Sequence, residues 1–307
     1  MSQKQKTIAI VGCGPNLGMA VARRFGKEGY QIGMISFMPE ELETFVKELE
    51  GMGIKAAAFP ADITKRDELI AALTKLRAEM GPIDIVEYSP LAPMFELVDV
   101  LDINPENTQY YIEQQLYGAM TVVNEVLPEM LARGEGSILV TTGATAIIPM
   151  SSHANGAVSQ CAVRHYIYLL NDRLQDKGIY VGTLCIAAAK DDTYLANLYW
   201  DMNLKRDRVE EIYGNIKPVA AYQSYVNRGY ADTYPPKFTK EPPEPRNEEE
   251  RNKLLVALYF CHISAGILDE VIAKGETEKS IKFIEPIVLK YGGDLTKEYF
   301  GGTIDLI

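Results

Sequence analysis

The feature that most constrains this chain is a short apolar strand that runs into a glycine-rich turn and then into a helix. Residues 7–11 (Thr-Ile-Ala-Ile-Val) precede Gly12, Gly14 and Gly18, and a helical pattern begins at Leu17. Glycines permit a sharp turn and a close approach of backbone to ligand, while the free N–H groups of a helix N-terminus attract phosphate. The pattern predicts a dinucleotide-type site, and a tight turn without any ligand is the alternative.

Strand and helix patterns alternate at short intervals as far as residue 186. Six strands are predicted, at residues 7–11, 31–36, 54–59, 83–86, 137–142 and 179–186. Strands that alternate with helices form a parallel sheet, and their nearly continuous apolar runs suit a sheet covered on both faces. We therefore expect an α/β fold, a Rossmann-like doubly wound parallel sheet in residues 1–190, with a mostly helical C-terminal extension in residues 191–307.

Helix-start signals add local detail. Asn104 followed by Pro105 is typical of a capped helix with proline in its first turn, and it predicts the start of a long helix. Thr64 is expected to cap another helix. Residues 192–213 are expected to form one helix, and the aromatic and proline-rich tail beyond them is consistent with a lid, an oligomerisation element or a partner surface.

Charge and cysteine content narrow the class of protein. With 31 Lys and Arg against 42 Asp and Glu, the net charge of −11 argues against nucleic acid or an anionic membrane as the main partner. The four cysteines lack paired spacing, which favours reduced thiols. No signal peptide opens the sequence, and the longest apolar run, residues 254–268, is short for a membrane span. We expect a cytoplasmic protein without a zinc-type metal site.

Further motifs follow the glycine turn in a consistent order. They are Asp62 after the third strand, the fourth strand at 83–86, Gly118 with Leu-Pro-Glu-Met at 127–130, Gly-Ser-Ile-Leu-Val at 136–140 and Gly-Ile-Tyr-Val at 178–181. With this order and spacing, residues 6–188 resemble the short-chain dehydrogenase/reductase family. The resemblance implies a nicotinamide nucleotide, NAD(P)(H), bound across the carboxyl ends of the strands.

The resemblance also implies which residues contact the nucleotide. Gly12, Gly14 and Gly18 would lie against the diphosphate, and Asn16 replaces the family's middle glycine. The full predicted set is Gly12, Gly14, Asn16, Leu17, Gly18, Ser36, Phe37, Asp62 and Ile63. Within it, Asp62 would lie near the adenine, Ser36 would bind a ribose hydroxyl or a phosphate, and Phe37 would pack on the adenine. Neither an acid nor a base ends the second strand, so NAD and NADP both stay open.

The sequence departs from the family at the catalytic positions. The tyrosine and lysine align with Gly156 and Gln160, the serine aligns near Gly143, and the asparagine of the long helix aligns with Gln115. In this family a tyrosine supplies the proton that follows hydride transfer, and the lysine lowers its pKa. Glycine and glutamine can do neither, so the resemblance implies a non-classical mechanism.

Two side chains are candidates to replace the missing acid. His153 lies just before the helix that would carry the tyrosine, and its ordinary pKa suits proton transfer; the alternative is a polar loop residue. Tyr117 precedes Gly118 on the long helix, and the alternative is an interface or core-edge residue.

Two main functions follow. One is an NAD(P)-dependent oxidoreductase acting on a small organic substrate, and the other is a catalytically inactive nucleotide-binding regulatory or assembly subunit. Non-redox chemistry in the same pocket, as in a lyase or an isomerase, is a third. The resemblance further implies a homodimer or homotetramer that pairs through the two long helices.

Overall fold

A computed structural model describes residues 5–91, 97–187 and 191–214. The chain divides into two compact units, and the first comprises residues 1–92, 98–186 and 190–213. Nearly all described residues belong to this first unit. The predictions made for the tail beyond residue 214 lie outside the described residues, and the domain boundary near residue 190 stays a prediction.

The first unit is a seven-stranded parallel sheet in the order β3-β2-β1-β4-β5-β6-β7. Its strands are β1 (Thr7–Val11), β2 (Gln31–Ile35), β3 (Ala56–Ala58), β4 (Ile85–Tyr88), β5 (Gly136–Gly143), β6 (Ile179–Ile186) and β7 (Glu210–Tyr213). The strand order reverses direction between β1 and β4, where two neighbouring carboxyl ends leave a crevice. The predicted doubly wound α/β fold is confirmed.

Helices cover both faces of the sheet. They are α1 (Leu17–Lys27), α2 (Pro39–Gly51), α3 (Arg66–Met80), α4 (Pro105–Tyr111), α5 (Gly118–Arg133), α6 (Ala154–Leu174) and α7 (Asp192–Lys205). One apolar core packs α3, α5 and α6 against the sheet, and a second packs α1, α2 and α7 against the opposite face. Because β1 and β2 are buried along their whole lengths, their runs are apolar without alternation after the first residues, Thr7 and Gln31.

The predicted long helix begins as expected but is interrupted. The Asn104 side chain accepts a hydrogen bond from the Asn107 N–H at 2.9 Å, and the Asn107 side chain accepts one from the Asn104 N–H at 3.0 Å. Between α4 and α5, residues Ile112–Tyr117 form a π-helical segment. Single π-helical turns within α-helices are common at functional sites.

Two local predictions were wrong. The helix expected over residues 192–213 ends at Lys205, and Glu210–Tyr213 instead add β7 to the sheet edge. Thr64 does not cap α3, because its N–H and its hydroxyl both donate to Asp62 Oδ1, at 3.0 and 2.7 Å. Short-range bonding between Asp62 and Thr64 outcompetes the helix N-terminus for the threonine side chain.

Candidate functional site

The glycine turn lies at the crevice between β1 and β4. Gly12 has a φ of +84°, and a Cβ there would lie 2.6 Å from the Pro90 Cα, so only glycine fits. The N–H groups of Gly12 and Cys13 both donate to the Ile35 carbonyl, at 2.9 and 3.0 Å. A Cβ on Gly18 would approach the Cys13 Cα to 2.9 Å, so α1 packs directly on the turn. The backbone is thus held in one shape by its neighbours.

Gly14 differs from its two neighbouring glycines. A Cβ at Gly14 would meet no atom within 4 Å, so packing within the described chain does not require glycine there. The Asn16 side chain makes no capping hydrogen bond at the start of α1, and Leu17 is buried in the core. An uncapped helix N-terminus beside an open glycine fits a bound phosphate, because both the N–H groups and the space are available to it.

The ends of β2 and β3 carry the residues predicted to contact the nucleoside. Ser36 is buried, and its carbonyl accepts from the Ala61 N–H at 2.9 Å, whereas the Phe37 side chain is 70% exposed. Asp62 holds the turn before α3 by accepting from Thr64 and pairing with Lys65 at 3.5 Å. Burial raises the Asp62 pKa, but these contacts outweigh it and lower the pKa below its ordinary value.

Tyr117 lies in a separate recess. A pocket of about 430 Å³ is lined by the start of α3 and by the π-helical segment with the first turns of α5. Its lining includes Ile63, Arg66, Tyr117 and Asn124. The Tyr117 side chain is 56% exposed, and neither His153 nor Gly143 lines this pocket. The structure therefore does not bring the two candidate acids into one recess, but it does join Tyr117 with Ile63.

Three of the positions aligned with the family's catalytic residues meet in one hydrogen-bond chain. The Gly143 N–H donates to Gln160 Oε1 at 2.9 Å, and Gln160 Nε2 donates to Gln115 Oε1 at 2.9 Å. Gln115 Nε2 in turn donates to the Pro90 carbonyl at 3.3 Å and to Gln114 Oε1 at 3.2 Å. This network, here called the amide network, links the ends of β4 and β5 to the π-helical segment and α6 without any ionisable group.

The π-helical segment explains how the glutamines reach inward. Gln114 and Gln115 are both buried, and the Tyr88 hydroxyl donates to the Gln114 carbonyl. Tyr88 also occupies the space that a side chain at Gly118 would need. The wider turn thus frees one carbonyl for Tyr88 and directs two amides towards the crevice. Sequence reasoning identified Gln115 and Gln160 only as missing catalytic groups and did not foresee that they bond to each other.

His153 lies at the entry to α6 and is only 7% exposed. Its Nδ1 lies 2.8 Å from the Ser152 hydroxyl oxygen, which fixes the ring orientation. Three residues later, the Gly156 N–H donates to Asn155 Oδ1 at 3.0 Å, and the Gly156 carbonyl accepts from the Ser159 hydroxyl at 2.8 Å. Imidazole is the side chain whose ordinary pKa suits proton exchange near neutral pH.

Glu87 is a buried carboxylic acid that sequence reasoning missed. It lies on β4 with no exposed surface, accepts from the Ser89 hydroxyl at 3.0 Å and from the Thr141 hydroxyl at 3.4 Å. Burial raises the pKa of Glu87 to about 8 against the opposing effect of these two hydrogen bonds. The available signal was an acidic residue inside an otherwise apolar inner strand, Ile85–Tyr88.

Within the described ranges, no three His, Cys, Asp or Glu side chains lie close enough together to hold a metal ion. In the same part of the chain, no helix has both the length and the apolar content that crossing a membrane requires.

Comparisons with known proteins agree with the observed fold. Residues 6–199 match the family model described as short chain dehydrogenase. Oxidoreductase UcpA of Escherichia coli (strain K12) is 27% identical over 181 residues, which cover 59% of this chain and 68% of UcpA.

Solved structures share the fold. A metagenomic short-chain oxidoreductase in complex with NADP superposes with a TM-score of 0.63 at 17% identity, covering 69% of this chain and 98% of that one. A 3-oxoacyl-[acyl-carrier protein] reductase with bound NAD from Brucella melitensis gives a TM-score of 0.62 at 17% identity, covering 69% and 91% of the two chains. At these identities the similarity establishes the fold.

Proposed function

Because this chain belongs to the short-chain dehydrogenase family, we propose that it is an oxidoreductase that binds NAD(P)(H) and acts on a small organic substrate by a non-classical mechanism. The observation that carries this proposal is the open glycine turn at the crevice where the strand order reverses. Gly12 and Gly18 are explained by packing within the chain, but Gly14 faces open space beside an uncapped helix N-terminus. The open space at Gly14 together with the uncapped helix N-terminus beside it fits a ligand phosphate that approaches the turn.

The nucleotide contacts follow from this arrangement. The glycine turn and the first N–H groups of α1 would bind the diphosphate, and Asp62 and Ile63 would border the adenine. Phe37, which is largely exposed, has surface available for the nucleoside. A fold neighbour holds NADP and another holds NAD, which supports a nicotinamide dinucleotide of either kind. When bound, that group would supply or accept a hydride at its nicotinamide ring.

The proton that accompanies hydride transfer needs a group in this chain. The amide network cannot supply it, since glutamine side chains and backbone groups do not titrate in the physiological range. Tyr117 shares its pocket with Ile63, on the side proposed for the adenine, and this grouping favours His153. We assign proton exchange to His153, with its ring oriented by Ser152.

Binding tests the first part of the proposal. Calorimetric titration with NAD, NADH, NADP and NADPH should give micromolar affinity for at least one oxidised and reduced pair, and the preferred pair distinguishes NAD from NADP. Gly14→Ala should weaken that affinity by about tenfold or more because its methyl group obstructs the diphosphate, without lowering the melting temperature. Gly51→Ala is the matched control, since a Cβ there also meets no atom within 4 Å. Absence of binding by all four nucleotides would overturn the proposal.

Turnover tests the second part. Once a substrate is found by screening carbonyl and alcohol compounds for a change in nicotinamide absorbance, His153→Ala should lower kcat while Tyr117→Phe leaves it unchanged. If nucleotide binds but no screened compound turns over, the non-catalytic subunit becomes the better description. The amide network supports that second candidate, because it satisfies the polar groups that would otherwise contact substrate.

Oligomeric assembly is part of the proposal. Both long helices expose apolar side chains, including Leu131 on α5 and Val158 and Leu169 on α6. A homodimer or homotetramer that pairs through α5 and α6 would cover them. Light scattering coupled to size-exclusion chromatography measures the mass, and a monomer at micromolar concentration would contradict this part.

A further inference from the structure

Glu87 lies directly beneath the crevice that the glycine turn borders. In the sheet it pairs with Ile10 of β1 and Leu139 of β5, so it lies on an inner strand with an apolar residue on each side. The next pair towards the carboxyl ends is Val11 with Tyr88, and the turn begins at Gly12. The carboxyl group is therefore two residues below the turn and has no exposed surface.

Within the part of the chain that the structure describes, the side chains that hydrogen bond to Glu87 are neutral hydroxyls. Ser89 donates to one carboxyl oxygen and Thr141 to the other, and the Tyr199 hydroxyl lies 2.5 Å from the Thr141 hydroxyl oxygen. Among the described residues no cationic side chain hydrogen bonds to this carboxyl group, which makes its ionised form costly. Ser89 and Thr141 are themselves only half-buried, so the two hydroxyls connect the carboxyl group to the crevice.

The titratable groups around Glu87 come from the glycine turn, α1, α7 and β6. Cys13 in the glycine turn and Tyr199 on α7 both have pKa values that burial raises and that the charge of Glu87 raises further. Arg23 on α1 lowers the Cys13 pKa, and Cys185 on β6 raises that of Tyr199. The effect on the Cys13 pKa matters most, because Cys13 lies in the glycine turn and the charge of Glu87 therefore acts on that turn.

We infer that Glu87 is a proton-linked switch of the nucleotide crevice, whose neutral form permits a diphosphate in the glycine turn and whose ionised form opposes it. This inference rests on the proposed function, which places a doubly charged diphosphate at that turn. A buried negative charge two residues below would repel the diphosphate with little screening by salt. Binding above neutral pH therefore takes up a proton from solvent onto the Glu87 carboxylate through Ser89 or Thr141.

Calorimetric titration at several pH values measures nucleotide affinity and proton uptake in one experiment. NADH, NADPH and ADP-ribose are titrated into the protein from pH 6.5 to 9.5, in pairs of buffers with different ionisation enthalpies. The expected result is affinity that falls by about threefold to tenfold above pH 8, with net proton uptake on binding. ADP-ribose lacks the nicotinamide ring, so the same dependence with ADP-ribose assigns the effect to the diphosphate.

Two variants make the inference refutable. Glu87→Gln is neutral at every pH and should bind with flat affinity and no proton uptake. Thr141→Val removes a hydrogen bond that favours the ionised form, so it should move the midpoint of the affinity change to higher pH, and it serves if Glu87→Gln does not fold. Binding that shows the same pH profile in wild type and variants would overturn this inference alone. Absence of binding at every pH would overturn the proposed function, and this inference with it.

Discussion

Replacing Glu87 by glutamine should change how the stability of the fold depends on pH. The carboxyl pKa is raised from 4.5 to about 8 in the folded protein by burial. Between pH 4.5 and about 8 the carboxyl group therefore holds its proton more often in the folded than in the unfolded protein. The stability of the fold then falls as pH rises through this range. The slope from this one group is about 1.4 kcal/mol per pH unit, which amounts to about 3 kcal/mol lost by pH 7.

The Glu87→Gln variant removes this loss because its side chain stays neutral. Its amide can still bond with the hydroxyls of Ser89 and Thr141, at a cost of about 1 kcal/mol where donors mismatch. We therefore expect a variant about as stable as the wild type near pH 5 and about 2 kcal/mol more stable at pH 7. Urea unfolding at a series of pH values measures this, and Trp200, the one tryptophan, packs against Phe25 and reports on the fold.

Glu135→Gln is the control for a general charge effect. Glu135 pairs with Lys6 at 2.6 Å on the surface, and a side-chain hydrogen bond from Lys6 lowers its pKa. An acid with a lowered folded pKa contributes stability that is lost only as pH falls, so this variant should leave the slope between pH 6 and 8.5 unchanged. Equal slopes for wild type and Glu87→Gln would refute the reasoning about Glu87.

Two further substitutions test the polar contacts that hold the crevice and the sheet edge. Gln160→Leu leaves the Gly143 N–H without its acceptor and should lower the free energy of unfolding by about 1–3 kcal/mol, measured in urea. The control Gln109→Leu, on the exposed surface, should lower it by under about 0.5 kcal/mol. Equal losses would contradict a stabilising role for the amide network. Arg164 pairs with the Glu210 carboxylate at 2.6 Å, and the Glu210 side chain is only 8% exposed. Arg164→Leu removes this charged partner and should lower the free energy of unfolding by about 3 kcal/mol in the same measurement. An unchanged stability would contradict a structural role for the pair.

The positions of six strands of the sheet could be predicted because the sequence marks these strands in more than one way. The strand at 7–11 is apolar after Thr7 and ends in a glycine turn, and the strand at 179–186 begins directly after Gly178, which has a φ of +77°. A doubly covered parallel sheet requires apolar strands, and a positive φ favours glycine at the turns between elements. The two constraints together leave little choice about where the elements begin.

The strand β7 and the π-helical segment were not predicted because the sequence carries no comparable local signal for either. The strand β7, Glu210–Tyr213, has two acidic residues and only partly buried side chains, because it lies at the sheet edge. Its Glu210 is held by Arg164 from α6, a contact 46 residues away in sequence. The π-helical segment Ile112–Tyr117 continues a regular helical pattern in the sequence, so no local signal distinguishes it. The Tyr88 hydroxyl that bonds to its Gln114 carbonyl comes from β4, which is distant in sequence.

The candidate site was predictable in its backbone and not in its polar contacts. Gly12, Gly14 and Gly18 follow from the shape of the turn, which is local. The amide network and the hydroxyls around Glu87 depend on side chains from separate elements, such as Gln115 with Gln160. Sequence spacing alone does not reveal such pairs, since they form only when the sheet and helices pack.

These polar groups divide the proposed chemistry between two sides of the crevice. The amide network approaches from α6 and the π-helical segment and carries no titrating group, whereas Glu87 lies on the opposite side among the residues that pack α1 and α7. Proton exchange with substrate is proposed for His153, and proton uptake by Glu87 is proposed to accompany nucleotide binding. The two protons therefore predict separable effects: Glu87→Gln should alter the pH profile of nucleotide affinity and leave that of kcat unchanged, and His153→Ala should do the reverse. A single variant that alters both profiles would show that one proton serves both steps.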